Sequence, residues 1–242
     1  MFNPSKTHTG HRTGFTLIEL LVVLVIVAAL SAITFVVAQK VRAAGKDATC
    51  ISNLRQLAMI AESTAAETGY YPPMLSQTTN ENGGSSHVGD AFPGIIRGME
   101  CGQCPAAKYT GLDKNNNPIT SYGSNPMVMV YTKDRTPAPV RPAQIRRPSE
   151  VYLMADSAQH GPPNTRSLGF SARWYGQREG DPDDAGKPLT TAEIPSGGFW
   201  DADVSTMPMR HNGHANVVFC DGHVESISDI SELRQKNFYW NY

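Results

Sequence analysis

The sequence is short of charge. Lysine and arginine number 21 against 22 aspartates and glutamates, a net of -1, and no basic stripe or block stands out. A nucleic-acid partner has no electrostatic footing on such a chain. Catalytic signatures are missing as well. There is no G-x-S-x-G, no H-E-x-x-H and no lone cysteine beside an evident base, so no nucleophile stands out. No second CxxC and no HxxxH exists to complete a zinc site with Cys101-Gly102-Gln103-Cys104. From Phe15 to Val37 charge almost disappears, Glu19 being the single ionisable residue. Proline is absent from Phe15 to Tyr71, so nothing in that span forces a helix to break.

What is present begins with the same run. Roughly 20 apolar residues cross a bilayer as a helix, so Phe15 to Val37 is able to span or anchor. A carboxylate inside a bilayer costs a few kcal/mol at least and is rarely left without a partner. Glu19 stands five residues after Gly14, near one end of the run. Two ordinary readings compete here. Ala29-Leu30-Ser31 before Ala32 has the small residues that signal peptidase prefers, and a plain signal anchor needs only the apolar run. Neither accounts for an acidic residue near the start of the apolar segment that directly follows Gly-Phe-Thr.

Gly14-Phe15-Thr16-Leu17-Ile18-Glu19-Leu20-Leu21-Val22-Val23 resembles the class III signal of type IV prepilins and type II secretion pseudopilins. The resemblance implies cleavage after Gly14, N-methylation of the new terminus at Phe15, and pairing of Glu19 with the Phe15 amine of a neighbouring subunit. It departs from the family at Phe35-Val36-Val37, where a helix-disturbing proline is often found at the position of Val36.

The domain boundaries expected from the sequence are a leader over 1–14, a transmembrane helix over 15–38, an amphipathic continuation over 39–70, and an extracytoplasmic globular domain over 71–242. The leader carries Lys6 and Arg12 and no acid, which by the positive-inside rule keeps it cytoplasmic. His8 and His11 in the leader are read as no metal pair. In the continuation, Val41, Ala44, Ala48, Ile51, Leu54, Ala58, Ala61 and Ala65 recur at helical steps and predict a buried stripe. Gly69 followed by Pro72-Pro73 predicts the helix end. The 21 glycines and 17 prolines predict a loop-rich domain. Thr78 to Gly89 reads as a loop, Thr136 to Pro148 as an extended surface connector, and His160 to Met207 as a long decorated loop. Val151 to Ala155 reads as a strand ending at Asp156. Ala215 to Cys220 and His223 to Ile227 read as two strands joined at Asp221-Gly222, and Asn212-Gly213 as a turn. The fold class expected is α+β and pilin-like, a long N-terminal helix packed on a small antiparallel sheet.

Cys50, Cys101, Cys104 and Cys220 are disulfide candidates in an exported, oxidising setting, with three possible connectivities. In similar proteins a cysteine just before an Asn-Leu-Arg-Gln segment, here Cys50, occurs with a Cys-Pro, here Cys104, and the resemblance implies that pair. Asp113, Asn115 and Asn117 have the alternation of a calcium loop but lack its glycine and distal glutamate, so a polar turn is favoured. Asp181, Asp183 and Asp184 are similarly weak. Calcium stays in view because pseudopilins of this type include calcium binders; no other cofactor is expected. His211, followed after nine residues by Asp221-Gly222, resembles the H-X9-DG signature of many prepilin-like proteins. His211, His223, Asp156 and Asp221 have the chemistry of a metal or hydrolytic site, but each has a sufficient structural role.

The resemblance therefore implies a structural, non-enzymatic subunit of a type IV pilus-like or type II secretion filament. Its expected partners are other pilin or pseudopilin subunits, a prepilin peptidase, an inner-membrane assembly platform and the membrane, with no nucleic acid. Its expected place is a single pass of the inner membrane with the domain outside, in a cell-surface or periplasmic filament. The competing reading is a membrane-anchored binding or metal-dependent protein using the His/Asp cluster or calcium.

Overall fold

The computed structural model describes residues 16–73, 75–79, 85–87, 99–107, 121–125, 127–133, 138–156 and 209–238. The chain forms two compact units, Met1–Arg42 and Ala43–Tyr242, and helix α1 (Leu17–Thr68) contributes to both. In the first unit the residues of α1 are exposed, and from Leu20 to Val37 large apolar side chains stand on every side. α1 contains a stretch long and apolar enough to cross a membrane, none of it buried within the protein. Such a surface is unfavourable in water and suits lipid or other apolar helices.

In the second unit α1 becomes one-faced. Cys50, Asn53, Leu54, Leu57, Ala58, Ala61 and Ala65 are buried, at helical spacing. Val41, Ala44 and Ala48, expected in the stripe, are exposed. The buried face starts at Cys50 because the turn before it carries Asp47, which is half-buried and polar. α1 stops where glycine allows it. Gly69 takes φ of 85° and its N–H donates to the Ala65 carbonyl at 2.8 Å, a left-handed cap that a residue with a Cβ adopts only with strain.

The helix packs on a four-stranded antiparallel sheet, ordered β3 (Tyr122–Ser124), β5 (Tyr152–Asp156), β6 (Ala215–Phe219), β7 (Val224–Ile227). β6 is buried on both faces, and its residues alternate. Val218, with Cys220 just beyond the strand, joins the core under α1, whereas Ala215, Val217 and Phe219 join a second core with Ile227 and Leu233. In β5 the register shifts between Tyr152 and Met154. One extra residue inverts the face seen by everything after it. Tyr152 therefore faces the second core, while Asp156 reaches the helix side and bonds the backbone of Asn216.

A second sheet is ordered β2 (Ser85–His87), β1 (Leu75–Thr79), β4 (Tyr131–Lys133), with β1 and β4 parallel. It corrects the loop expected over Thr78 to Gly89, since Thr78, Thr79 and Ser85 to His87 are paired strand residues. The connector Thr136 to Pro148 is also less peripheral than expected. Val140 and Ile145 are buried in the main core, and the Val140 carbonyl accepts the Tyr71 N–H. A short 3-10 turn, Pro142–Gln144, lies between them, and another, Glu100–Gly102, carries Cys101. The described residues end with a 3-10 turn at Ile230–Glu232 and the single-turn helix α2 (Gln235–Phe238).

Candidate functional site: the N-terminal segment and the clamp behind it

At the start of α1, Glu19 has a local partner. The Thr16 N–H and the Thr16 hydroxyl both donate to Glu19 Oε2, at 2.9 and 2.8 Å, and the Glu19 N–H donates to Thr16 Oγ1 at 3.3 Å. This is a reciprocal capping box, which satisfies helix N–H groups that have no carbonyl to reach. Thr-x-x-Glu ahead of an apolar run is its sequence signature. Glu19 is thus held towards the start of the helix. Both bonds from Thr16 fall on Oε2, so Oε1 remains for a second donor. Gly14 and Phe15 lie outside the described residues.

The second unit holds a buried polar cluster whose parts are far apart in sequence. Asn212 and Gly213 both have positive φ, 54° and 91°, as the central residues of a type I′ turn must. The turn is closed by reciprocal backbone bonds between His211 and His214, so the two imidazoles stand side by side, ring centres 5.8 Å apart. Both reach Asp47 of α1. His214 Nε2 is 3.1 Å from Asp47 Oδ2, and His211 Nδ1 is 3.4 Å from Asp47 Oδ1. Asn216 Nδ2 donates to the same Oδ1 at 2.8 Å, and its amide oxygen accepts from Ser226 Oγ at 2.7 Å.

The other His211 nitrogen, Nε2, is 3.2 Å from Asp156 Oδ2. Asp156 has no exposure to water; it accepts the Asn216 N–H at 2.8 Å, and Arg210 Nε lies 3.7 Å from its second oxygen. Burial holds the Arg210 guanidinium below its usual pKa, against the raising influence of Asp156 and Tyr122. The cluster therefore sets two carboxylates against a guanidinium and two imidazoles, so that the buried carboxylate of Asp156 is surrounded by polar partners, as a buried charge requires.

Beside it lies the disulfide Cys50–Cys104, and Cys104 Sγ is 3.6 Å from His211 Nε2. One turn further along α1, Asn53 donates to the Gln103 carbonyl at 2.9 Å. Asp47, Cys50 and Asn53, three residues apart, so make three tethers from one helix face to the rest of the unit. Cys101 and Cys220, expected as disulfide candidates, are instead buried thiols. The correction follows from Cys104, whose sulfur is taken by α1, which leaves the CxxC unpaired with itself. Burial first, and then the charge of Glu62, push the Cys220 thiol well above its usual pKa; burial also raises Cys101. Tyr71 donates its hydroxyl to Glu62 Oε1 beside Cys220, and burial raises the phenol as well.

The two ends of the H-X9-DG spacing do different work. His211 belongs to the buried cluster, whereas Asp221 and Gly222 form the β6–β7 turn. Gly222 takes φ of 85°, Asp221 Oδ1 accepts the His223 N–H at 3.1 Å, and the His223 ring stacks on Phe219. Burial raises the Asp221 carboxyl, but hydrogen bonds from the His223 side chain and backbone outweigh it and leave it below the usual range. His211 and Asp156 come together, but His223 and Asp221 make their own exposed pair. Asp47, Asn53, Arg210 and Asn216 were not singled out from sequence. The calcium candidates Asp113, Asn115 and Asn117, the acids Asp181 to Asp184, and His8 and His11 lie outside the described residues.

Comparison with known proteins bears on the N-terminal segment alone. The prokaryotic N-terminal methylation motif matches residues 10–35. Neither curated proteins nor solved structures yield a match. The matched span covers the Gly14–Phe15 bond, the Thr16/Glu19 box and the apolar first half of α1. The chain therefore carries a prepilin-type N-terminal segment, on a helix that fits single-pass membrane anchoring.

Proposed function

We propose that the protein is a structural subunit, a pilin or pseudopilin, of a type IV pilus-like or type II secretion filament. The observation that carries the reading is the union of Gly14-Phe15, a capped Glu19 and an apolar helix inside one methylation motif. A prepilin peptidase at the inner membrane removes residues 1–14, Phe15 is methylated, and an assembly platform adds the subunit to the filament. Lys6 and Arg12 hold the leader in the cytoplasm, so the second unit folds outside it, where the Cys50–Cys104 bond persists.

Glu19 gives the assembly its register. In water two unit charges about 4 Å apart attract by about 1 kcal/mol, and at an effective dielectric near 20 by about 4 kcal/mol. The Phe15 amine of a neighbour therefore gains most where the apolar helices exclude water. Oε1 is placed to accept it while Oε2 keeps the cap. The buried His/Asp cluster serves as a clamp between helix and sheet rather than as a reaction centre, and no enzymatic activity is proposed.

Glu19→Leu separates assembly from anchoring. It removes a desolvation cost, so the variant should still insert and be cleaved, but it should be lost from sheared filaments or from subunit crosslinks. Glu19→Asp should retain part of the incorporation. Normal incorporation of Glu19→Leu would leave an anchored domain and no filament subunit.

A further inference from the structure

The cysteines and the histidine of the buried cluster have a second use. Cys50 Sγ, Cys104 Sγ and His211 Nε2 all lie within 4.8 Å of one another, and all three residues are buried. The geometry points to a zinc-class metal site made by Cys50, Cys104 and His211 in the dithiol form of the chain, mutually exclusive with the disulfide. The inference does not rest on the filament reading.

The spacing between Cys104 and His211 is that of two ligands in a tetrahedral site. With bonds of about 2.3 Å to sulfur and about 2.0 Å to nitrogen, a sulfur and a nitrogen ligand stand about 3.6 Å apart. Cys104 Sγ and His211 Nε2 are 3.6 Å apart. A nitrogen and an oxygen ligand on the same ion stand about 3.3 Å apart, and Asp156 Oδ2 is 3.2 Å from Nε2, next to the remaining position. The two sulfurs need about 3.8 Å between them, so the site requires the Cys50 side chain to rotate on α1 once the bond is open. Two thiolates and an imidazole form a soft donor set suited to zinc rather than to calcium or magnesium.

The surroundings also fit. A metal-bound histidine usually presents its other ring N–H to a carboxylate that fixes tautomer and orientation. With Nε2 on the metal, Nδ1 carries the proton and faces Asp47 Oδ1 at 3.4 Å, and Asp47 is itself held by Asn216 and His214. Cys101 and Cys220 play no part. The absent second CxxC is no obstacle, because the partners of Cys104 come from α1 and from the turn before β6.

The two forms interconvert by a balanced exchange. The zinc bis-thiolate and an oxidised dithiol of the protein-disulfide class, R–S–S–R, yield the Cys50–Cys104 bond, free zinc ion and two R–S⁻ thiolates. Two electrons pass from the cysteine sulfurs to the oxidant. Zinc thus protects the newly made chain from oxidation and mispairing, and is released when the disulfide forms.

The test is cobalt(II) titration of the full-length chain in detergent, reduced and oxidised, read by sulfur-to-metal charge-transfer absorption. The reduced chain should bind one equivalent with tetrahedral thiolate bands, and the oxidised chain none. Cys101→Ser with Cys220→Ser should leave binding intact, and His211→Ala should abolish the tetrahedral spectrum. Asp47→Asn should weaken binding about 10–100-fold, the usual effect of losing the carboxylate behind a ligating histidine. Zinc should also slow oxidation of Cys50 and Cys104 by a disulfide oxidant, mapped by mass. This second measurement needs no variant, so a misfolded mutant cannot obscure the answer. Absence of cobalt binding by the reduced chain would overturn the proposal, as would binding that survives loss of Cys50 and Cys104 but not of Cys101 and Cys220.

Discussion

Asp156 shows what a single residue does in this protein. Its carboxylate is wholly buried and takes the Asn216 N–H, His211 Nε2 and Arg210 as neighbours. Removing one member of a buried ionic group costs about 3–5 kcal/mol, because the remaining charges stay desolvated. Asp156→Ala should destabilise by about that much in denaturant unfolding of the full-length protein in detergent. Asp156→Asn keeps an acceptor oxygen of the same shape and should cost clearly less. Equal losses in the two variants would mean that the charge, not the shape and acceptor oxygen, matters here. The cysteines make a second prediction at this scale. Cys101 and Cys220 are buried thiols whose pKa values are pushed up, so few are thiolate at neutral pH. Disulfide-intact protein should release two reactive thiols per chain in denaturant, with slow alkylation of both beforehand. No thiol, or four, would contradict the assigned pairing.

At the scale of elements, α1 is two helices in one. Its first half is apolar all round and its second half buries one face, and point mutations should report the change. Leu57→Ala opens a cavity under the sheet and should cost about 2–5 kcal/mol in the same unfolding assay. Val41→Ala alters a residue with 64% exposure and should be near neutral in detergent. Comparable losses at both positions would mean the buried face begins earlier than Cys50. The start of that face was misread because alanines 44 and 48 fit either environment, so periodicity alone cannot place the end of a stripe. Other elements were legible for local reasons. Gly69, Asn212-Gly213 and Asp221-Gly222 announce backbone geometry that few other residues tolerate; Val151 to Ala155 is a continuous apolar run, and Ala215 to Cys220 is broken only by Asn216. β1, β3 and β4 are only three to five residues long, too short to show a period against a loop-rich background.

At the scale of the whole molecule, the apolar first half of α1 and its motif were plain in the sequence because they are contiguous. The clamp was not. Asp47, Asp156 and His211 meet only after helix, sheet and turn have formed, and no local pattern links residues so distant in the chain. The Cys50–Cys104 pair was likewise implied by resemblance and not by spacing, and it ties Asp47's helix to the same place. The result is a second unit in which the C-terminal half of α1 is fastened to the sheet and loops by a disulfide, a salt-bridged cluster and a packed stripe, with an exposed apolar half-helix preceding it in sequence. The proposed filament role requires that the apolar half begin with a free amine beside Glu19. The mass of the intact native protein, measured without reduction, tests this most directly. A mature chain that begins at an N-methylated Phe15 is the predicted result, with Gly14→Val accumulating as precursor. A native chain that begins at Ala32, or one that keeps Met1 to Gly14, would contradict the account.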